Sequence, residues 1–298
     1  MIKLIVSDMD GTLLNENVDI SDANLSAIKR AQEEGIHFAI ATGRDFPMAD
    51  LYLREYDFSC PLILSNGAQF FDEKGTNVYN RGLEKKHVRQ MLNMINGNPA
   101  LHVELVTTEG VYSDSKENRA DMLASMLSDL NPDLTFEEAK EKAGDRIEEM
   151  EIFFVDRLED VVDDESSVIL KLTVHTLEGT DILEPVKEKL YDSIPDLAIT
   201  SSSVKNLEIN HVDAQKGIAV SQLAKELGLD SSQVMTIGDN LNDVSMLEWA
   251  DYSVAVENAA PEAKAAAKFQ TSSNRNNGVA EAIARVLNKE IYEGQLQR

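Results

Sequence analysis

Lys3-Leu4-Ile5-Val6-Ser7-Asp8-Met9-Asp10-Gly11-Thr12 decides the fold. Lys3 to Ser7 is a short β-branched run that reads as a first strand, and two acids follow it directly. In an open parallel sheet, ligands bind beyond the carboxyl ends of the strands. Two carboxylates two residues apart, where the chain leaves pleated geometry, can converge on one site. One can then act as nucleophile and metal ligand while the other, protonated, serves as general acid. Gly11 permits the tight turn that aims both at the same place. The competing reading is a solvated acidic turn.

Outward from this stretch, the first 80 residues alternate as a parallel sheet with crossover helices does. Ser21 can cap a helix with Leu25, Ile28 and Ala31 at helical spacing, ending at Gly35. Ile36 to Ala41 is a second buried strand, a helical stretch starts at Pro47, and Leu62-Ile63-Leu64 is a third strand. Phe70 to Gly75 reads as a hairpin closed at Lys74-Gly75. From Gly82 to Ser193 the pattern loosens. Helical segments (Val88 to Ile95, Arg119 to Leu130, Ile182 to Leu190) alternate with strand-like runs (Val103 to Val106, Ile152 to Val155, Val168 to Val174). The βα rhythm then returns, with a strand over Gln233 to Gly238, a helix over Asn240 to Trp249 and a strand over Tyr252 to Val256. The tail from Lys289 is expected to fray.

The chain has 298 residues, a formal charge of −25 and one cysteine, Cys60. That charge argues against nucleic acid or an anionic membrane as partner, since either needs a basic face. No apolar run approaches the roughly 20 residues of a membrane span. The acid-interrupted N-terminus does not read as a secretion signal. A lone cysteine, read as a small buried hydrophobe, fits a reducing compartment, so a cytoplasmic location is expected. The acidic stretch from Glu137 to Glu165 reads as solvated surface. An anionic substrate would need local positive charge in so acidic a chain.

Further chemistry-bearing residues sit at other strand ends. Thr42-Gly43-Arg44 ends the second strand, where the Thr42 hydroxyl and the backbone amides, that of Gly43 among them, suit phosphate oxygens; a common strand-to-turn step is the competing reading. Lys216 falls at the start of a helix carrying Ile218, Val220, Leu223 and Leu227. A cation there opposes the helix dipole unless an anion is present, the competing reading being an exposed lysine. Asp239 and Asp243, in Gly238-Asp239-Asn240-Leu241-Asn242-Asp243, lie one helical turn apart and can share a face. With Asp8 they would form an oxygen-rich site for a hard cation. Mg²⁺ is favoured, because it needs only one or two protein carboxylates beside a phosphate. The five histidines are scattered and give no zinc pattern.

Taken in this order, the four motifs resemble those of the haloacid dehalogenase superfamily of phosphohydrolases, along the whole chain. The insertion between Thr42 and Lys216 looks like the large α/β cap of the Cof-type subfamily. Ser65-Asn66-Gly67-Ala68, Leu207-Glu208-Ile209 and Val256-Glu257-Asn258-Ala259 are also similar to patterns typical of that subfamily. The resemblance implies a doubly wound, mostly parallel, Rossmann-like α/β core over 1–81 and 194–298. An α+β cap over 82–193 would close over the site and choose the leaving group. It also implies Mg²⁺-dependent hydrolysis of small phosphorylated metabolites such as sugar phosphates. Asp8 would attack phosphorus, and Asp10 would protonate the leaving group and then activate water. Thr42, Gly43, Lys216 and Asn242 would bind the phosphoryl group. The metal would be held by Asp8, the Asp10 backbone carbonyl and Asp239, with Asp243 in support. The segment Asn210 to Gln215 departs from the subfamily's usual proline- or glycine-containing version, so no particular substrate is carried over. Two other readings stand beside this one: a sugar phosphomutase, since a similar cap occurs on phosphomannomutases, and a phospho-accepting signalling module. Oligomeric state is left open.

Overall fold

In the computed structural model, which describes residues 1–130, 134–149 and 152–290, the strands in chain order are as follows. They are β1 (Leu4–Ser7), β2 (His37–Ala41), β3 (Leu62–Leu64), β4 (Gln69–Phe71), β5 (Asn77–Asn80), β6 (His102–Thr107) and β7 (Val111–Ser113). Then come β8 (Ile152–Phe154), β9 (Ile169–His175), β10 (Leu197–Thr200), β11 (Asn206–His211), β12 (Val234–Gly238), β13 (Tyr252–Val256) and β14 (Phe269–Thr271). The described chain divides into two units, Met1–Tyr79 with Asp213–Arg298, and Asn80–Val212.

The first unit is built on a sheet of order β14-β13-β12-β1-β2-β3-β4-β5. From β14 to β3 neighbouring strands run parallel, and β4 returns antiparallel to β3. The strands are apolar on both faces, as parallel strands covered by helices must be. Ile5, Ile40 and Ile237 belong to one apolar layer, with Ile28 and Ala31 of helix Asp22–Glu33 and Val279 and Ile283 of helix Gly278–Leu287. Leu4, Val6, Ala39 and Val234 belong to a second layer, with Ala219, Val220 and Leu223 of helix Lys216–Glu226. Alternate side chains of β1 thus enter opposite layers, which is the doubly wound arrangement expected. Ser21 caps its helix as read, accepting from the Asn24 N–H at 3.2 Å.

Strand order reverses at β1. The chain proceeds outward through β2 and β3 on one side and through β12, β13 and β14 on the other. Ser7 is in register with Ile40 of β2 and Ile237 of β12. The residues just past β1, β2 and β12 therefore share one edge, at the point where such sheets open a crevice.

The second unit has a sheet of order β10-β11-β9-β6-β7-β8. Leu105, Leu172, Val174 and Ile209 pack with Val88, Met91 and Leu92 of helix Lys85–Ile95 and Leu183 and Leu190 of helix Thr180–Ser193. This unit runs past the expected limit at Ser193. β10 and β11 hydrogen-bond antiparallel to each other, and β11 to β9, so both belong to this sheet. The acidic stretch also holds more than solvated surface. Ala139, Ala143 and Ile147 of helix Phe136–Glu149 bury against Leu123, Ala124 and Leu127. The expected fraying of the tail concerns residues that, after Glu290, lie outside those described. Among the described residues no helix is long and apolar enough to cross a membrane.

Candidate active site

Asp8 follows β1, and its N–H donates to the Ile237 carbonyl of β12 at 2.9 Å, so the ladder is continued up to the carboxylate. Gly11 then turns with φ +78. A Cβ on Gly11 would lie 2.5 Å from Asp239 Oδ2, so the missing side chain is what admits the Asp239 carboxylate. Thr12 donates its hydroxyl to Asp239 Oδ1 at 2.8 Å.

Lys216 is fully buried, and its Nζ donates to Asp8 Oδ1 and to Asp243 Oδ1, each at 2.6 Å. It is the first residue of helix Lys216–Glu226, as read from the sequence. The anions that make a cation tolerable there belong to the protein itself. Asp243 is also fully buried, and its second oxygen accepts from the Asp239 and Asn240 N–H groups at 2.8 and 3.0 Å. Asp239 and Asp243 come together, though not as neighbours on a helix. Asp239 ends β12, and a 3₁₀ turn over Leu241–Asp243, capped by Asn240, folds Asp243 back onto it. Helix Val244–Trp249 begins only after that turn.

Asp8, Asp239 and Asp243 each offer a carboxylate oxygen within 4.8 Å of the others. Burial pushes the Asp8 carboxyl above its ordinary range; Lys216 opposes this, while Asp243, Asp239 and Asp10 add to it. Burial and Asp243 together push Asp239 up to about 7. Burial works against the Lys216 charge, but Asp243 and Asp8 outweigh it and hold the ammonium above its usual value. Three carboxylates thus share the site with one ammonium, and the surplus negative charge suits a divalent cation with oxygen ligands. Asp243 already accepts three hydrogen bonds, which suits it to support. Asp8 and Asp239 are the better ligands.

Thr42 lies at the end of β2, buried, and its Oγ1 accepts from the Arg44 N–H at 3.2 Å. Gly43 is half-buried beside it. Asn242 donates through Nδ2 to Asn66 Oδ1 at 3.2 Å. The side chain of Asp10 stands apart from the three-carboxylate cluster. Arg44 grips it through both oxygens, Nε to Oδ2 at 2.8 Å and Nη2 to Oδ1 at 2.6 Å. The Arg44 guanidinium lies over the Tyr52 ring, 5.0 Å from its centroid. Of Asp10, only the backbone carbonyl remains in question as a metal ligand, as the sequence reading had it.

Arg44, Thr12 and Asn66 were not picked out as site residues from the sequence. All three stand inside quoted motifs, and Arg44 and Thr12 share theirs with residues that were. Their roles depend on pairing across the sheet: β1 beside β2 brings residue 44 to residue 10.

An open sheet with an aspartate at its switch point, a buried lysine against it and a cation-ready carboxylate cluster defines an α/β enzyme for an anionic substrate. Residues 5–283 match the family model for haloacid dehalogenase-like hydrolases, and the chain belongs to that family. It is similar to the Bacillus subtilis phosphatase YwpJ, 27% identical, with 96% of this chain and 100% of the relative covered. The B. subtilis 5-amino-6-(5-phospho-D-ribitylamino)uracil phosphatase YwtE is 32% identical, covering 96% of this chain and 98% of its own length. Among solved structures, a B. subtilis haloacid dehalogenase-like hydrolase superposes with a TM-score of 0.86 at 27% identity, covering 96% of this chain and all of its own. The resemblance read from the motifs is borne out, and with it the reading as an enzyme of the phosphatase kind.

Proposed function

We propose that the chain hydrolyses monoesters of small phosphorylated metabolites through an aspartyl-phosphate on Asp8, with Mg²⁺ as its cation. The observation that carries this is the Asp8 carboxylate at the sheet's switch point, bonded to the buried Lys216 and adjoining Asp239 and Asp243. Such a constellation orients one oxygen nucleophile and, with a divalent cation among the carboxylates, would put positive charge where phosphoryl oxygens must sit. Mg²⁺, held by Asp8, Asp239 and the Asp10 carbonyl, would neutralise phosphoryl charge that the lone ammonium does not.

In this reading an Asp8 oxygen forms a bond to phosphorus as the ester P–O bond breaks, and Asp10 gives its proton to the departing alkoxide. Asp10 then takes a proton from water, whose oxygen attacks phosphorus, releasing inorganic phosphate and restoring Asp8. Thr42, Gly43, Lys216 and Asn242 hold the phosphoryl oxygens. The names of relatives such as YwtE support a phosphorylated metabolite as substrate. The single, buried Cys60 supports a reducing, cytoplasmic setting.

Phosphate release from p-nitrophenyl phosphate, with Mg²⁺ or with EDTA, tests this for wild type and Asp8→Asn. Release that needs Mg²⁺ and disappears in Asp8→Asn is expected. Release that survives in Asp8→Asn removes Asp8 as nucleophile. Conversion of a hexose monophosphate to its isomer without free phosphate would replace hydrolysis by the mutase reading.

A further inference from the structure

Ser65, Asn66 and Gly67 follow β3 with φ of 48, 61 and 101, three successive residues in the left-handed region. All three are buried. For residues with a Cβ this conformation costs about 1–2 kcal/mol each, and it persists only where the surroundings over-determine it. Four contacts do so here. Ser65 N–H donates to the Arg44 carbonyl at 2.9 Å, and Asn66 N–H to the Thr42 carbonyl at 3.0 Å. A Cβ on Gly67 would lie 2.7 Å from the carbonyl oxygen of Gln215, the residue before Lys216. Asn66 Oδ1 accepts from Asn242 Nδ2, across 176 positions of sequence.

Three residues therefore touch three separate segments, and each segment carries a group placed on the phosphoryl side of the reaction: Thr42, Lys216 and Asn242. Three of the four contacts run through backbone and reach only the loop or helix end on which the functional group rides. The contact to Asn242 is different, because it fixes the functional side chain itself. A buried primary amide turns about its last torsion with little steric preference. A hydrogen bond to a rigid acceptor sets both its plane and which end faces the substrate. The left-handed backbone at Asn66 is what directs Oδ1 to that task, and asparagine is among the few residues that adopt it readily.

We infer that Asn66 is a positioning residue, which orients the Asn242 amide toward the phosphoryl group from a strained loop that also braces the Thr42 and Lys216 segments. This rests on the proposed contact of Asn242 with phosphate. The test is a double-mutant cycle with Asn66→Gly and Asn242→Ala, read as kcat/KM for p-nitrophenyl phosphate and as the inhibition constant of inorganic phosphate. Glycine keeps the left-handed backbone and removes the acceptor with the rest of the side chain. Trp249 fluorescence checks that each variant is folded.

Asn242→Ala should weaken phosphate inhibition and lower kcat/KM by about tenfold, and Asn66→Gly by about five- to tenfold, the equivalent of one buried hydrogen bond. In the Asn242→Ala background, Asn66→Gly should then add less than about twofold, since the partner it positions is gone. Equal factors in both backgrounds, or a silent Asn66→Gly in the wild type, would overturn the inference while leaving Asn242 in place. A silent Asn242→Ala would withdraw the role of Asn242 and this inference together. The aspartyl-phosphate reading would still stand or fall on Asp8→Asn alone.

Discussion

Replacing Asp243 by Asn preserves shape and changes one oxygen to an NH₂ group, which makes it a severe test of the charge arrangement around Lys216. Asp243 Oδ1 faces the Lys216 ammonium at 2.6 Å, and Oδ2 faces two backbone N–H groups at 2.8 and 3.0 Å. Every partner is a donor. An asparagine can present oxygen to one side only, so either flip sets donor against donor inside a fully buried site. The less damaging flip keeps the two backbone bonds and turns NH₂ toward Lys216, leaving Asp8 as the ammonium's remaining carboxylate in this pair of contacts. Removing one partner of a buried pair costs about 3–5 kcal/mol. At about 2–4 °C per kcal/mol for a unit of this size, even 3 kcal/mol lowers the melting midpoint by about 6–12 °C. The assay is thermal unfolding followed by the fluorescence of Trp249, the only tryptophan. It ends the short helix that starts at Val244, directly after the substituted residue, and so reports on this unit. Asp251→Asn, which loses only an exposed contact to Lys268 at 3.3 Å, should stay within about 1 kcal/mol of wild type. If Asp243→Asn melts within 2 °C of wild type (about the effect of 1 kcal/mol or less), Lys216 is not held between two carboxylates and the site's charge balance must be redrawn.

Three further outcomes are expected. Gly11→Ala places a Cβ 2.5 Å from Asp239 Oδ2 and should lower kcat/KM by about 10²-fold through misplacement of the carboxylates; Gly35→Ala, with φ +75 and nothing within 4 Å, should cost stability alone. The Asp239 carboxyl titrates near 7 in the folded chain and about 3.9 when unfolded, so between those values the folded state binds the extra proton. Metal-free stability should therefore fall as pH rises from about 4 to 7 through Asp239, and Asp8, shifted in the same direction, adds to the fall. Melting in EDTA should be higher at pH 5 than at pH 8, with the gap reduced in Asp239→Asn and by excess Mg²⁺, which takes the proton's place; a higher midpoint at pH 8 in EDTA contradicts this. Arg44→Met frees both oxygens of Asp10 and should slow hydrolysis of alkyl phosphates by about tenfold or more, with p-nitrophenyl phosphate little changed, because only poor leaving groups need a well-placed acid. Equal losses on both substrates would mean that Arg44 serves the fold and not the acid.

Much of this unit was legible because its strands are short apolar runs that end in chemistry-bearing residues. Leu4 to Ser7, Val234 to Gly238 and Tyr252 to Val256 need no partner to be recognised. What escaped depends on distant pairing or on a masked period. β10 and β11 were left with the wrong unit because their short runs join a sheet only through β9. Ala139, Ala143 and Ile147 repeat at helical spacing, but Glu137, Glu138 and Glu141 stand among them and the stretch reads as charge. The Asp239–Asp243 pair was found for a reason that does not hold: the four-residue spacing suggested a helix, and a capped turn achieves the same convergence.

The charge of the chain deserves a different account from the one its sequence suggests. With a formal charge of −25, the chain seemed to need Lys216 as a local source of positive potential for an anionic substrate. In the folded site that ammonium is enclosed and bonded to Asp8 and Asp243, so its charge is already more than balanced. Lys216 alone therefore makes Asp8 and Asp243 tolerable neighbours inside the protein; it does not make the site attractive to a second anion. A divalent cation changes the sum, since with it the three buried carboxylates are matched and the approaching phosphoryl group meets no surplus of like charge. On this argument the cation governs substrate binding as well as the chemical step. Inorganic phosphate should protect Trp249 from thermal unfolding when Mg²⁺ is present and fail to do so in EDTA. Equal protection in both would mean that the lysine and the strand-end amides attract phosphate unaided.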